Sequence, residues 1–215
     1  MNLFYKKNVL EVGIDEVARG CLLGRVYTAA VIWNSELDDT IDHPIMKDSK
    51  KFSRKKRLLM EEYIKNYALD YSISYCDEKT IDEINILNST FKSMHQSLNN
   101  LNIDFDHILV DGKLFKPYYN SNDEIISHLC IEKGDEKYYS IAAASILAKV
   151  EHDRYIQDLC HKYPDLDNKY DLLSNMGYGT AKHIDGIKKY GTSPFHRKTF
   201  GICKDYAYTL KGLKC

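Results

Sequence analysis

Asp15 and Glu16 close an apolar, β-branched run from Val9 to Ile14. Asp111 closes a second such run, Ile108 to Val110, just before Gly112. Asp135 lies in Lys133-Gly134-Asp135, between a strand-like segment and a long apolar stretch. In an open α/β sheet, sites form beyond the strand ends, so carboxylates far apart in sequence can converge there. A cluster of that kind suits a hard cation: Mg²⁺ takes oxygen ligands, keeps several waters and shares its remaining positions with phosphate. Two such ions about 3.5 to 4 Å apart activate a water and stabilise a departing oxygen in phosphodiester hydrolysis. Successive strand residues face opposite sides, so Asp15 and Glu16 reach one site only if the strand ends or bulges between them. Gly13, Gly20 and Gly24 lead us to expect such an irregular stretch.

The elements that must position these residues follow from periodicity. Val9 to Ile14, Arg25 to Trp33, Asp70 to Cys76, Ile108 to Val110 and Ile125 to Ile131 read as strands, rich in β-branched and aromatic residues and bounded by turn residues. Ser53 is the expected cap of a helix over Arg54 to Tyr67, where Leu58, Leu59, Tyr63 and Ile64 recur at helical spacing. Thr80 with Glu83 has capping-box spacing and opens a short helix, and Asn88 to Leu101 forms a second, amphipathic one. Tyr138 to Leu159 is a long helical run whose first half, Ile141 to Val150, is almost wholly apolar and alanine-rich, as befits a buried helix packed closely on a sheet. The pattern is α/β. The polar, glycine-bearing stretch Asp165 to Gly179 marks the expected boundary between a domain over 1–164 and a C-terminal region over 165–215.

With 215 residues, 44% hydrophobic and 28% charged, the chain has the composition of an ordinary globular protein, which excludes disordered and collagen-like classes. No apolar run reaches the roughly 18 residues of a membrane span, and the first ten residues lack a signal-peptide pattern, so a cytoplasmic protein is expected. The six cysteines include no C-x-x-C pair, which disfavours a disulfide framework and structural zinc. Net charge is only −1, yet six of the eight residues from Lys50 to Arg57 are basic, and Lys182, His183, Lys188, Lys189, His196, Arg197, Lys198 and Lys204 gather near the C-terminus. A near-neutral total can therefore hide a basic face.

Seven blocks, in order and covering roughly residues 9 to 201, resemble the type 2 ribonuclease H family. They are Gly13-Ile14-Asp15-Glu16-Val17-Ala18-Arg19-Gly20; Lys47-Asp48-Ser49-Lys50-Lys51-Phe52-Ser53; Ile81-Asp82-Glu83-Ile84-Asn85-Ile86-Leu87; Val110-Asp111-Gly112; Lys133-Gly134-Asp135 with Ser140 to Val150; Gly177-Tyr178-Gly179-Thr180 with His183; and His196-Arg197-Lys198-Thr199-Phe200-Gly201. The resemblance implies a ribonuclease H-like mixed β-sheet flanked by helices, with a helical C-terminal part. It implies endonucleolytic hydrolysis of the RNA strand of an RNA/DNA hybrid and incision 5′ of a single ribonucleotide embedded in duplex DNA, by two-metal-ion catalysis with Mg²⁺ or Mn²⁺, leaving 3′-hydroxyl and 5′-phosphate ends.

By the same resemblance Asp15, Glu16, Asp111 and Asp135 are the catalytic and metal-binding carboxylates, with Asp15 and Asp111 the primary ligands. Asp153 is expected in a structural ion pair with Arg154 or a neighbour. Ala18, Arg19 and Gly20 match the family's Gly-Arg-Gly loop, which senses a ribose 2′-hydroxyl, the group that distinguishes RNA from DNA. Tyr178 matches the tyrosine beneath the nucleotide at the RNA-to-DNA junction. Ser49, Lys50 and Lys51 look like backbone-phosphate contacts, and the stretch with Lys182, His183 and Arg197 would extend that track. The substrate is the only partner expected: no clamp-binding motif is visible in Tyr206 to Cys215, and a monomer is expected.

Two departures stand out. Ala18 replaces the loop's first glycine, and its Cβ makes positive φ costly. His152-Asp153 replaces the usual Arg-Asp. The alternatives are a type 3 ribonuclease H that prefers long hybrids, whose usual extra N-terminal domain Asp15 lies too near the start to allow, and a non-catalytic hybrid-binding module, which the four retained carboxylates disfavour.

Overall fold

A computed structural model describes residues 1–33, 46 and 52–206. Ser49, Lys50 and Lys51 fall outside the described residues. Alternation along β1 (Glu11–Val17) decides how the first layer is built. Val12 and Ile14 point to one face, where they join Ala30 and Ile32 of β2 (Val26–Trp33) and Ile108 and Val110 of β4 (His107–Asp111). That face packs on Phe91, Met94 and Leu98 of α2 (Glu78–Asn99). Each buried aliphatic side chain contributes about 1.5–3 kcal/mol of transfer free energy, less whatever the unfolded chain already hides. On the opposite face Leu109 packs with Ile131 and with Ile141 of α3 (Tyr139–Lys162). Gly13 is on that second face, and a Cβ there would overlap the backbone of Ser140 and Ile141. Its missing side chain is what lets α3 lie against the sheet.

With β3 (Ala68–Cys76), β5 (Tyr118–Tyr119) and β6 (Ile125–Ile131), the sheet has six strands in the order β3-β2-β1-β4-β6-β5. β1 is antiparallel to β2 but parallel to β4, β4 is parallel to β6, and β5 is antiparallel to β6. This is the mixed, helix-flanked sheet expected. The antiparallel register runs unbroken through Asp15 opposite Ala29, Glu16 opposite Thr28 and Val17 opposite Tyr27. The bulge expected between the two acidic residues is therefore absent; the backbone departs from strand geometry only at Ala18, where φ is +69°.

α1 (Arg54–Tyr67) is capped by Ser53, whose Oγ accepts from the Lys56 amide at 3.3 Å. α2 starts earlier than the Thr80 capping box implied, because the Asp77 carboxylate takes the Thr80 amide at 2.8 Å and so acts as the cap. It still contains two helices, broken at Asn85 (φ 65°), whose Oδ1 accepts from the Asn88 amide at 3.0 Å and restarts the helix. The C-terminal part is helical, with α4 (Pro164–Tyr170), α5 (Leu172–Asn175) and α6 (Ala181–Tyr190). Pro164 occupies the first turn of α4, where no amide donor is needed.

The chain forms two compact units, each drawn from three segments: Met1–Val17, Tyr27–Tyr75 and Phe91–Val150 in the first, and Ala18–Val26, Cys76–Thr90 and everything from Glu151 in the second. The second unit has its own core of Leu23, Ile156, Leu159, Leu166, Tyr170, Leu172 and Ile187. α6 crosses α4 at Gly186, where a Cβ would overlap the Lys169 carbonyl. Among the described residues no helix is long and apolar enough to cross a membrane, and no disulfide joins the cysteines.

Candidate active site

The register of the first unit brings two of the carboxylates together. β1 and β4 pair in parallel up to Ile14 opposite Val110, so Asp15 and Asp111 are the next residues on adjacent strands. Asp15 shares a face with Gly13 and Asp111 shares one with Leu109, and both faces look toward α3. Asp135 arrives in a single 3₁₀ turn, Gly134–Glu136, just before α3. The Gly134 amide donates to Asp111 Oδ1 at 2.7 Å, tying that turn to the end of β4. A Cβ at Gly134 would come within 2.6 Å of the terminal methyl of Ile141, which would have to turn aside.

Asp15 is 3% exposed and Asp135 6%, whereas Glu16 and Asp111 are half-buried. Burial, then the charges of Glu16 and Asp111, raise Asp15 well above the ordinary carboxylate range, while a Ser145 hydrogen bond and the Glu16 amide (2.7 Å) oppose the rise. Sequence reasoning missed Ser145; it is the first polar residue in the apolar run of α3, which was the available signal. Glu16 does not share the α3-facing side, because regular alternation directs it to the other face of β1.

Among the described residues no three His, Cys, Asp or Glu side chains form a preformed ion cage. The donor set is nonetheless of the right kind: crowded carboxylate oxygens whose repulsion burdens buried Asp15, the chemistry that a hard cation with retained waters would complete.

The second unit holds the residues expected at the substrate. Arg19, Gly20 and Lys182 are exposed and Tyr178 is 38% exposed, while Ala18 is buried. Segment 18–25 is stitched into the unit by backbone bridges from Cys21 to Tyr178 and from Leu23 to His196. Lys182 lies 3.5 Å from Asp171. Asp153 pairs with His152 at 3.1 Å, whereas Arg154 pairs with Glu151.

Arg197 and His183 differ from the phosphate contacts expected of them. Both are fully buried. The Arg197 guanidinium donates to the carbonyls of Gly24, Arg19, Ala18 and Arg25 at 2.8, 2.9, 2.8 and 3.0 Å. Its charge goes into shaping segment 18–25, and none of it is presented at the surface. His183 is committed to the Tyr178 carbonyl and to His196. Basic residue type suggested surface contacts; carbonyl partners leave no trace in a sequence.

Residues 12–203 match the family model of Ribonuclease HII. The chain belongs to the ribonuclease HII family. Ribonuclease HII of Christiangramia forsetii is 43% identical over 202 residues, covering 94% of this chain and 96% of that one. Ribonuclease H2 from Pyrococcus horikoshii has a TM-score of 0.72 at 24% identity, over 91% of this chain and 95% of that one. The Archaeoglobus fulgidus RNase HII solved in complex with PCNA has a TM-score of 0.70 at 23% identity, covering 94% and 98%. At those identities the two structures bear on fold alone, and they share it. Ribonuclease HII membership makes this chain a metal-dependent nuclease that hydrolyses the RNA strand of RNA/DNA hybrids.

Proposed function

We propose that this ribonuclease HII cuts 5′ of single ribonucleotides in duplex DNA as well as within longer hybrids, with Asp15, Glu16, Asp111 and Asp135 as its catalytic carboxylates. The observation that carries the reading is that Asp15 and Asp111 stand side by side at the ends of β1 and β4, on the face toward α3, with the turn that bears Asp135 tied to Asp111 by the Gly134 amide. Asp15 and Asp111 would be the primary ligands of Mg²⁺ or Mn²⁺, with Asp135 contributing from its 3₁₀ turn and Glu16 from the next position along β1. Held by these carboxylates, two such ions would supply an activated water and charge stabilisation for a departing 3′ oxygen, the chemistry that leaves 3′-hydroxyl and 5′-phosphate ends. Ser145 and the Glu16 amide hold the Asp15 carboxyl in one orientation, and the Gly134 amide does the same for Asp111.

Recognition falls to the second unit. Ala18, Arg19 and Gly20 sense the ribose 2′-hydroxyl through backbone groups whose orientation Arg197 fixes. The half-exposed Tyr178 ring meets the nucleotide at the RNA-to-DNA junction. Lys182 is an exposed phosphate contact, and Ser49, Lys50 and Lys51 are assigned the same role on their motif. The C-terminal region over 165–215 thus serves substrate contact. The reading needs no protein partner, and the working form is a cytoplasmic monomer.

The test is a mapped cleavage assay with Mg²⁺ or Mn²⁺ on two substrates, a DNA duplex holding one ribonucleotide and an all-RNA strand paired to DNA. Cutting on the 5′ side of the lone ribonucleotide supports the proposal. Cutting of the long hybrid alone refutes the single-ribonucleotide part.

A further inference from the structure

In the second unit, Ser193, His196, His183 and Tyr178 form a hydrogen-bonded chain whose two ends fix the position of each ring proton in it. The Ser193 amide donates to His196 Nδ1 at 2.9 Å. An amide can only donate, so that nitrogen carries no proton. The Ser193 hydroxyl, 2.8 Å from the same nitrogen, points its hydrogen the same way. At the other end His183 Nδ1 is 2.9 Å from the Tyr178 carbonyl, which can only accept, so His183 is protonated at Nδ1. The two Nε2 atoms are 3.0 Å apart. One proton suffices between them: neutral His196 carries it and donates to the bare Nε2 of His183. An additional proton on the pair would set two N–H groups head to head in a fully buried place, with the Tyr170 ring edge-on to His196 at 4.7 Å.

The chain ends on backbone that carries an exposed side chain. The Tyr178 carbonyl also accepts from the Thr180 amide at 2.8 Å, so both of its lone pairs are used. The Tyr178 amide donates to Asn175 at 3.0 Å, and the Gly177 carbonyl accepts from the Leu22 amide at 2.8 Å. Tyr178 is 38% exposed while the peptide groups behind its ring are held from several directions.

We propose that His183 and His196 are positioning residues, a neutral pair locked in one tautomeric arrangement that fixes the Tyr178 backbone and so sets how its ring is presented to the RNA-to-DNA junction. This rests on the junction role proposed for Tyr178. His196 and Arg197, adjacent in sequence, then divide the work: one orders Tyr178 through His183, and the other orders the Ala18 to Arg25 segment.

The experiment has two arms on the full chain. Long-range ¹H–¹⁵N correlation on ¹⁵N-histidine-labelled protein at pH 7 should show His196 protonated at Nε2 and His183 at Nδ1. Either ring in the opposite tautomer, or doubly protonated, overturns the proposal. In the second arm, the ratio of single-ribonucleotide incision to uniform-hybrid cleavage is measured for His183→Leu, His183→Asn and Tyr178→Ala. Leu keeps bulk but loses the donor to the Tyr178 carbonyl, and the ratio should fall about 3- to 10-fold, the weight of one hydrogen bond. Asn restores a donor close to the Nδ1 position and should recover part of the ratio, which a purely structural role would not require. If Tyr178→Ala lowers the ratio and His183→Leu does not, the positioning role is overturned while the junction reading stands. If Tyr178→Ala leaves the ratio unchanged, the junction reading itself has failed. Should the Leu variant not fold, the tautomer measurement on the unaltered protein decides.

Discussion

Replacing Ala18 by glycine tests whether the departure from the family's Gly-Arg-Gly loop matters. Ala18 holds φ at +69°, a left-handed conformation that costs an L-residue about 1–2 kcal/mol. Glycine relieves that cost. It also loosens the unfolded chain, at about 0.4–1 kcal/mol, and removes a methyl group worth about 0.8 kcal/mol, since the residue is only 2% exposed. The three terms nearly cancel, leaving a net change within about 1 kcal/mol of zero. For a chain of this size the melting temperature should move by less than about 4 °C. Burial also bears on recognition, because a methyl covered by its own protein does not obstruct a ribose. Ala18→Gly should therefore change the ratio of single-ribonucleotide to hybrid cleavage by less than about threefold, or about 0.7 kcal/mol in transition-state terms. Thermal denaturation and the mapped cleavage assay read the two effects separately. A tenfold rise in the ratio would refute the claim that the Cβ is out of the way, and a melting rise above about 8 °C would refute the cancellation. Ala18→Val should destabilise clearly, since a β-branched residue at positive φ is a conformational outlier.

Other perturbations separate the site from its scaffold. Asp111→Asn removes the charge of a proposed ligand and should slow cleavage at least about 100-fold, a loss that even an outer-shell partner can cause, while hybrid binding in a gel-shift assay persists; wild-type turnover would sink the metal assignment. Gly13→Ala forces a Cβ into the Ser140–Ile141 backbone and should cost about 1–3 kcal/mol, seen as an earlier urea midpoint, and an unchanged midpoint would mean that α3 is free to move off the sheet. Burial lowers His196 from 6.5 to about 3, with His183 adding to the shift. The unfolded chain therefore binds a proton below pH 6.5 that the folded chain refuses, so this contribution is whole above pH 6.5 and is lost as pH falls toward 3. Stability should drop below pH 6.5 more steeply than in His196→Gln, by about 1.4 kcal/mol per pH unit, and parallel curves would contradict a neutral buried histidine.

Much of the framework was legible because it rests on periodicity. The alternation in Val12 and Ile14, the helical spacing of α1 with its Ser53 cap and the alanine-rich start of α3 all survive in the structure. Elements too short for a period, such as β5 and the 3₁₀ turn at Gly134, were not visible. Helix starts went wrong where two caps compete: Asp77 wins over Thr80 because a carboxylate already reaches the Thr80 amide. The discontinuous make-up of the two units leaves no mark in a linear reading, because a compact unit is defined by contacts between segments rather than by composition.

The placement of the candidate carboxylates was legible for a narrower reason, which also explains where the reading erred. Asp15 and Asp111 can be placed together once β1 and β4 are parallel neighbours, since a parallel register carries equivalent strand ends to equivalent places. Parity then does the sorting: Gly13, Asp15, Leu109 and Asp111 fall on the α3 side, and Glu16, one residue on, does not. A bulge before Glu16 would have put both neighbours on one face, but the unbroken pairing with β2 forbids it and moves the irregular backbone to Ala18. What the structure shows of Glu16 is its charge, which helps to raise Asp15. Residue type misled in the second unit because a cation has two ways of being satisfied. Lys182, though 3.5 Å from Asp171, keeps its ammonium at the surface, whereas Arg197, buried among four carbonyls, has already spent its donors on the protein, and burial tells the two apart.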